Sequence, residues 1–444
     1  MNLPLVPLAL AAVAPFTCSP LSADWGFGAS AGMKTPPDPP LACSLTMPPD
    51  SAASQRAACA FGQGDHADAT LGLPPGLAAQ IPIRHVIVMM KENRSFDHLF
   101  GRLHDEGQPA TEAEPSTYVN PDLDGTLVAP FHEPTTCVPI DPGHQGASVE
   151  ACLAGGAMTG FVQNAARTTA SDGHAVMGNY EQTDLPFYFW LASNYALADR
   201  HFAPMASGTY ANRNFFLFGT NAGVYDTGIS YPDPSTPSIL QLLVAHGYSW
   251  AAYSDSQPFS GTLGWAPGAP GLHPFHELLD ALDQGTLPNV AFVDGVENVT
   301  DDHPPADLQA GEAWSRSIYE HAVGSPEWSR LVLFWTYDEA GGFADHVPPP
   351  TGCRAVPSSS PFTQMGPRVP LVAISRWAKP HYVSHVVHDH TALTRFIEAI
   401  FDLPALTARD ANSDALFDLF DFSCAQPATP PGPAPDAGTG GCPG

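Results

Sequence analysis

Four short, unbroken apolar runs, each halted abruptly by polar residues, constrain this chain more than any other feature. His85-Val86-Ile87-Val88-Met89-Met90 runs into Lys91-Glu92-Asn93-Arg94, and Val290-Ala291-Phe292-Val293 into Asp294. Leu331-Val332-Leu333-Phe334-Trp335 runs into Thr336-Tyr337-Asp338-Glu339, and Pro370-Leu371-Val372-Ala373-Ile374 into Ser375-Arg376. Runs of this length without polar alternation read as strands covered on both faces, the habit of parallel sheets. Helical patterns over 238–246, 310–323 and 391–401 alternate with them, the last with Asp389 or Thr391 as its N-cap. The alternation predicts an α/β fold with a doubly wound, largely parallel central sheet flanked by helices. In such a sheet the carboxyl ends of the strands share one edge, so Glu92-Asn93 and Asp338-Glu339 are expected to meet although they lie far apart in the chain.

Three carboxylates and an amide brought together repel one another unless a hard or borderline cation sits among them, so a divalent metal ion is expected at Glu92, Asn93, Asp338 and Glu339. Gly341-Gly342 follows the second acidic pair after Ala340. The whole chain is acidic: 17 Lys+Arg against 45 Asp+Glu leave a formal charge of −28. That balance argues against nucleic acid as a partner, because no surplus of cations exists to displace counterions from phosphates. A bound metal reverses the sign locally.

A hydroxyl stands ready to use such an ion. Met205-Ala206-Ser207-Gly208-Thr209-Tyr210-Ala211-Asn212-Arg213 is a tight, Gly-bearing turn leading into Asn214-Phe215-Phe216-Leu217-Phe218, which reads as helix. A hydroxyl near a helix N-terminus faces free N–H groups and a dipole that favour a phosphate oxygen. The residues themselves leave Ser207 and Thr209 open as nucleophile.

The ends are of a different kind. Leu3 to Pro15 is an apolar stretch with Ala12-Val13-Ala14 as a cleavage motif, so residues 1–22 are expected to be a signal peptide, giving a secreted or periplasmic protein; the stretch is too short and Pro-broken to span a membrane. Residues 23–80 form a Pro/Ala-rich segment, of which Gly28 to Ala60 wraps or dangles, 81–422 the catalytic domain, and 423–444 a Pro/Gly-rich tail, disordered from Ala425. Eight cysteines without a C-x-x-C pair point to disulfides, with Cys137–Cys152 and Cys424–Cys442 as expected pairs; oligomeric state is open.

His85 to Gly101, HVIVMMKENRSFDHLFG, resembles the N-terminal signature of the bacterial phosphoesterase family that contains non-specific phospholipase C and related acid phosphatases. DPGHQGASVEACLAGGAMTGF, MGNYEQTDLPFYFWLASNYALADRHF, SGTYANRNF, DDHPPAD, TYDEAGGFADHVPPP and GPRVPLVAISRWAKPHYVSH continue the likeness in order across about residues 81–405. The resemblance implies an alkaline-phosphatase-like α/β core, with Glu92, Asn93, Asp338, Glu339 and Thr209 as metal ligands and Thr209 as nucleophile. It also implies that His144 and His303 contact phosphoryl oxygens or the leaving group, with Asp302 beside the latter and His346 a further candidate. Gly208 and Ala211 stand where many relatives have Pro, and Ala340 where a polar residue is common, which puts substrate range in doubt more than chemistry.

The implied reaction is hydrolysis of a phosphomonoester or a phospholipid-type phosphodiester through a phosphothreonine. The chain ends soon after its last core helix, which inclines the expectation towards a compact phosphatase. The rival reading is an exported binding protein that keeps the fold without the activity.

Overall fold

The computed structural model describes residues 45–225, 235–256, 271–355, 363–423 and 431–439. Its centre is a sheet of eight strands: β1 (His85–Lys91), β2 (Ala196–Ala198), β3 (Trp250–Tyr253), β4 (Leu272–His273), β5 (Val290–Val293), β6 (Leu331–Tyr337), β7 (Leu371–Ile374) and β8 (Tyr382–Ser384). They lie in the order β8-β2-β7-β6-β1-β5-β3-β4. All four apolar runs are strands, and every residue of β5, β6 and β7 is buried, as unbroken runs require.

One strand departs from the expected direction. β7 pairs antiparallel with both β6 and β2, whereas the other pairs are parallel. A parallel neighbour needs a crossover, usually a helix, to return the chain to the starting edge. Among the described residues between β6 and β7 there is no helix. The apolar pattern of 370–374 reports burial, which is the same for either direction, so Ser375-Arg376 leaves at the edge opposite Asp338-Glu339.

Six helices matter below: α1 (Phe96–Phe100), α2 (Gly146–Leu153), α3 (Thr209–Phe218), α4 (Ile239–Ala245), α5 (Leu308–Gly324) and α6 (His390–Ile400). Capping explains four of their starts, the first by Ser95, whose hydroxyl accepts from His98 N on α1. Ser238 and Gln241 form a capping box on α4, Asp307 accepts from Gln309 N on α5, and Asp389, not Thr391, caps α6. No helix of the described residues is long and apolar enough to cross a membrane.

From residue 45, where it is described, the segment before residue 81 packs on the domain: Leu45 and Met47 lie against the main core, and Ala67, Leu71, Leu73 and Ala78 join it. Cys59 is tied to Cys353 by a disulfide. The expected Cys137–Cys152 bridge is not formed, since Cys152 is a free, buried thiol while Cys137 is disulfide-bonded elsewhere. Cys152 lies on the inner face of α2 in a satellite core with Val138, Phe161 and Phe343, where the thiol acts as a small apolar side chain. Residues 1–22 and the expected Cys424–Cys442 pair lie outside the described residues.

The tail also differs from expectation where it is described. Within 431–439, Gly438 N donates to Glu312 Oε2 at 2.9 Å and Asp436 pairs with Arg316 at 3.2 Å, both on α5. Glu312 is fully buried and needs donors; Phe187 N and Tyr188 N supply the others.

Candidate active site

β1 and β6 run in parallel register from His85 opposite Leu331 to Lys91 opposite Tyr337. Glu92 and Asp338 therefore leave the sheet side by side, and Asp338 N still donates to Lys91 O at 3.0 Å. One residue on, Asn93 Nδ2 donates to Glu339 Oε1 at 2.9 Å. Gly341 N donates to Glu339 Oε2 at 2.7 Å and fixes the second acid. That turn requires glycine twice over: Gly341 has φ +61°, and a Cβ there would stand 2.3 Å from Asn93 O and 2.6 Å from Asn93 Oδ1.

α3 brings the hydroxyl. Gly208 is its extended N-cap and Thr209 its first residue, so the helix begins five residues earlier than the apolar run indicates. Thr209 Oγ1 donates to Glu92 Oε2 at 3.2 Å. Ser207 Oγ instead donates to Tyr225 O, which separates the two hydroxyls that the residues alone leave open.

Four residues after Thr209, on the same helical face, Arg213 enters the acids. It donates from Nε to Asp338 Oδ2 at 3.2 Å, from one terminal nitrogen to Asp294, and from the other to Glu92 Oε1 at 3.3 Å and Met90 O at 3.1 Å. The positive charge between Glu92 and Asp338 is thus a guanidinium. Burial and the Glu92 charge hold Asp338 well above the usual carboxylate range, against the pull of Arg213. Burial likewise raises Glu339, with His144 opposing.

One guanidinium serves three of the four carboxylates, Glu92, Asp294 and Asp338, and among the described residues Glu339 has only Asn93 Nδ2 and Gly341 N as hydrogen-bond donors. Asn93 Oδ1, fully buried, has no hydrogen-bond partner among the described residues. A buried carbonyl oxygen left unpaired beside crowded acids is a costly arrangement in the protein alone. An all-oxygen donor set of carboxylates, an amide and a hydroxyl suits a hard or borderline divalent cation, so the residues fit the expected metal.

His144 and His303 reach the same rim from loops. His144 Nε2 is 4.0 Å from Glu339 Oε1, and its Nδ1 donates to Pro142 O at 2.8 Å. Its loop packs on Gly342, where a Cβ would meet Pro142 Cβ at 2.9 Å. Burial pushes the His144 imidazolium down, but Glu339 and Asp141 outweigh it, so the net displacement is upward. His303 faces His144 with ring centroids 6.0 Å apart, and Asp141 lies within 3.4 Å of His144 Nδ1 and 4.0 Å of His303 Nε2.

Asp302 and His346 are placed apart from these groups. The Asp302 carboxylate is fully buried and takes Lys91 Nζ at 3.1 Å, Tyr188 OH at 3.0 Å and Tyr337 OH. Its φ of +76° turns successive side chains apart, so Asp302 points into the sheet end and His303 to the rim. His346 Nδ1 donates to Asp97 Oδ2 at 2.6 Å, and Asp97 also holds the buried Arg368. That pairing ties His346 to α1 rather than to the acids.

Four rim residues escaped sequence reasoning: Arg213, Asp294, Asp141 and His390. Asp294 carried a signal, as the residue halting an apolar run. Arg213 carried one too, four residues from the hydroxyl. His390 Nε2 donates to Asp338 O at 2.7 Å from the first turn of α6; neither it nor Asp141 has a local pattern that marks it.

Comparisons with known proteins supply the family. The sequence model of the Phosphoesterase family matches residues 83–404. Non-specific phospholipase C4 of Arabidopsis thaliana is 28% identical over 383 residues, covering 76% of this chain and 71% of that protein. Phospholipase C A of Mycobacterium tuberculosis is 27% identical over 419 residues, 79% of this chain and 78% of that one. A solved structure from Vibrio parahaemolyticus, described as a protein in the alkaline phosphatase superfamily, superposes with a TM-score of 0.35 and 10% identity over 70% of this chain and 74% of that chain, too slight a likeness to argue from. With the family's sequence pattern spanning the sheet, the acids, the hydroxyl and the histidines together, the chain belongs to the Phosphoesterase family.

Proposed function

We propose that this phosphoric ester hydrolase cleaves phosphodiesters of the phospholipid type by attack of Thr209, through a phosphothreonine intermediate. The observation that carries the reading is Thr209 Oγ1 at the first position of α3, 3.2 Å from Glu92 Oε2. That hydroxyl lies among acids whose nearest amide oxygen, Asn93 Oδ1, is unpaired. Glu92, Asn93, Thr209, Asp338 and Glu339 would hold the divalent ion, which when bound supplies positive charge to the nucleophile and the phosphoryl oxygens.

The chain's own residues do the rest. Glu92 accepts the hydroxyl hydrogen bond and is the carboxylate placed to take that proton as the Thr209 oxygen–phosphorus bond forms. The opposite phosphorus–oxygen bond breaks, and the leaving alkoxide needs a proton; His144 and His303, steadied by Asp141, supply N–H donors to it and to the phosphoryl oxygens. Water then attacks the phosphothreonine, releasing the phosphate product and returning the hydroxyl. Asp302 orients Lys91 and touches no reacting atom in this scheme, and His346 positions α1 through Asp97.

The phospholipid preference rests on the relatives named phospholipase C; phosphomonoester turnover is the competing outcome. Export to an oxidising compartment is part of the same proposal, supported by the Cys59–Cys353 disulfide. The test is turnover of phosphatidylcholine and of p-nitrophenyl phosphate by wild type and Thr209→Ala, before and after chelation with metal add-back. The proposal requires loss of turnover in Thr209→Ala and after chelation. Wild-type kcat in the variant would dispose of it, and activity on the monoester alone would correct the substrate class.

A further inference from the structure

A second cluster of metal-type ligands lies away from the rim, at the foot of α6. His388, Asp414 and Asp418 each place one ligand atom within 4.8 Å of the others. The His388 side chain is completely buried, with Nδ1 3.9 Å from Asp414 Oδ1 and Nε2 3.8 Å from Asp418 Oδ1. Those separations are too long for hydrogen bonds. Neither ring nitrogen has a hydrogen-bond partner among the described residues, and neither does Asp418 Oδ1.

The two acids are otherwise anchored. Asp414 pairs through Oδ2 with Arg56 at 3.2 Å and accepts Leu416 N through Oδ1 at 2.8 Å; Asp418 Oδ2 accepts Tyr382 OH at 3.4 Å. Asp414 Oδ1, with that one hydrogen bond, and the unpaired Asp418 Oδ1 are the oxygens nearest the imidazole. Asp414 and Asp418 also line a surface cavity of about 460 Å³ together with Asp50, Asp421 and Lys379. An ion therefore has an acidic approach from solvent, and water has room to complete its coordination.

We propose that His388, Asp414 and Asp418 form a second cation site, for a borderline divalent transition metal of the Zn²⁺ class. Imidazole plus two carboxylates is a common donor set for such an ion, whereas an all-oxygen set favours calcium or magnesium. An ion takes only one of the two imidazole nitrogens, and two donors at zinc distances of about 2.1 Å in a tetrahedron are about 3.4 Å apart, so donor atoms that now lie within 4.8 Å of one another must close by no more than about 1.4 Å. The alternative, an imidazolium between two carboxylates, leaves three buried polar atoms without a hydrogen bond; an ion would take two of them, one ring nitrogen and Asp418 Oδ1.

The site ties the 414–418 loop to the strand that leads into α6. It is separate from the rim: Asp389 pairs with Arg409, and His390 turns the other way to Asp338. The proposal does not depend on the catalytic reading.

The test uses the full-length protein, stripped of metal and titrated with Zn²⁺ by calorimetry, with bound metal counted by plasma mass spectrometry. Wild type is expected to bind one more equivalent, at micromolar affinity or tighter, than Asp418→Asn or His388→Gln. Asp418 is a quarter exposed and its amide is isosteric, so Asp418→Asn carries the test if the histidine variant fails to fold. Glu92→Gln/Asp338→Asn, altered at the rim, is expected to keep one equivalent. Wild-type zinc stoichiometry in folded Asp418→Asn, or no zinc bound by the rim variant, would overturn the proposal; the difference between wild type and Asp418→Asn stands whatever the rim binds.

Discussion

Arg213→Met removes the one cation set among Glu92, Asp294 and Asp338. The side chain is 3% exposed and makes bonds to all three acids. Breaking a buried ion pair from one side costs about 3–5 kcal/mol, because the partners are left charged and desolvated. With an unfolding entropy of about 2.1 cal/mol/K per residue, 444 residues give about 0.9 kcal/mol/K, so the expected fall in Tm is about 3–5 °C. Calorimetry on metal-stripped protein reads this directly. Asp294→Asn supplies the second half of a double-mutant cycle: once Arg213 is gone, neutralising Asp294 relieves repulsion, so the two changes together cost at least about 1 kcal/mol less than their sum. Divalent metal added to Arg213→Met is expected to raise Tm more than it does in wild type. A wild-type Tm in the single variant, together with an additive cycle, would refute the electrostatic account of the rim.

Three further outcomes are expected. Gly341→Ala places a methyl 2.3 Å from Asn93 O at a residue with φ +61°, so it should cost about 1–2 kcal/mol and depress kcat by displacing Asn93, both read by denaturation and initial rates; unchanged values would show that the turn has slack. His98 takes a bond from Arg94 on Nε2 at 3.1 Å and donates from Nδ1 to Gly178 O at 2.7 Å; burial, with Arg94 adding to it, holds it well below the ordinary histidine value. The unfolded chain therefore binds more protons as pH falls below about 6.5, and this contribution to stability, full above that pH, is lost below it; an NMR titration showing His98 titrating near 6.5 in the folded protein would contradict this. Cys59→Ser/Cys353→Ser opens a link across 294 residues and should lower stability by about 2–5 kcal/mol in denaturant melts, an unchanged midpoint counting against it.

The meeting of Glu92-Asn93 with Asp338-Glu339 was legible because it follows from two rules: unbroken apolar runs are doubly buried strands, and parallel neighbours end on one edge. The direction of β7 was not, since burial on both faces looks the same whichever way a strand runs. Arg213 was only half legible: its spacing of four puts it on the face of Thr209, but an arginine in a helix ordinarily reads as a solvated end, and only the fold shows that face turned to the acids. Asp302 illustrates the converse, a neighbour of a rim histidine sent inward by one left-handed residue. His388 is illegible in the sequence, because a lone histidine carries no signal until Asp414 and Asp418 are folded against it.

The most direct measurement of the central claim is acid quenching of wild type during steady-state turnover, followed by peptide mass spectrometry across 205–213. A phosphoryl adduct on Thr209, absent in Thr209→Ala, is the predicted result. Turnover at full rate with no adduct on Thr209 in single-turnover, rapid-quench samples, and with Thr209→Ala equally active, would contradict it.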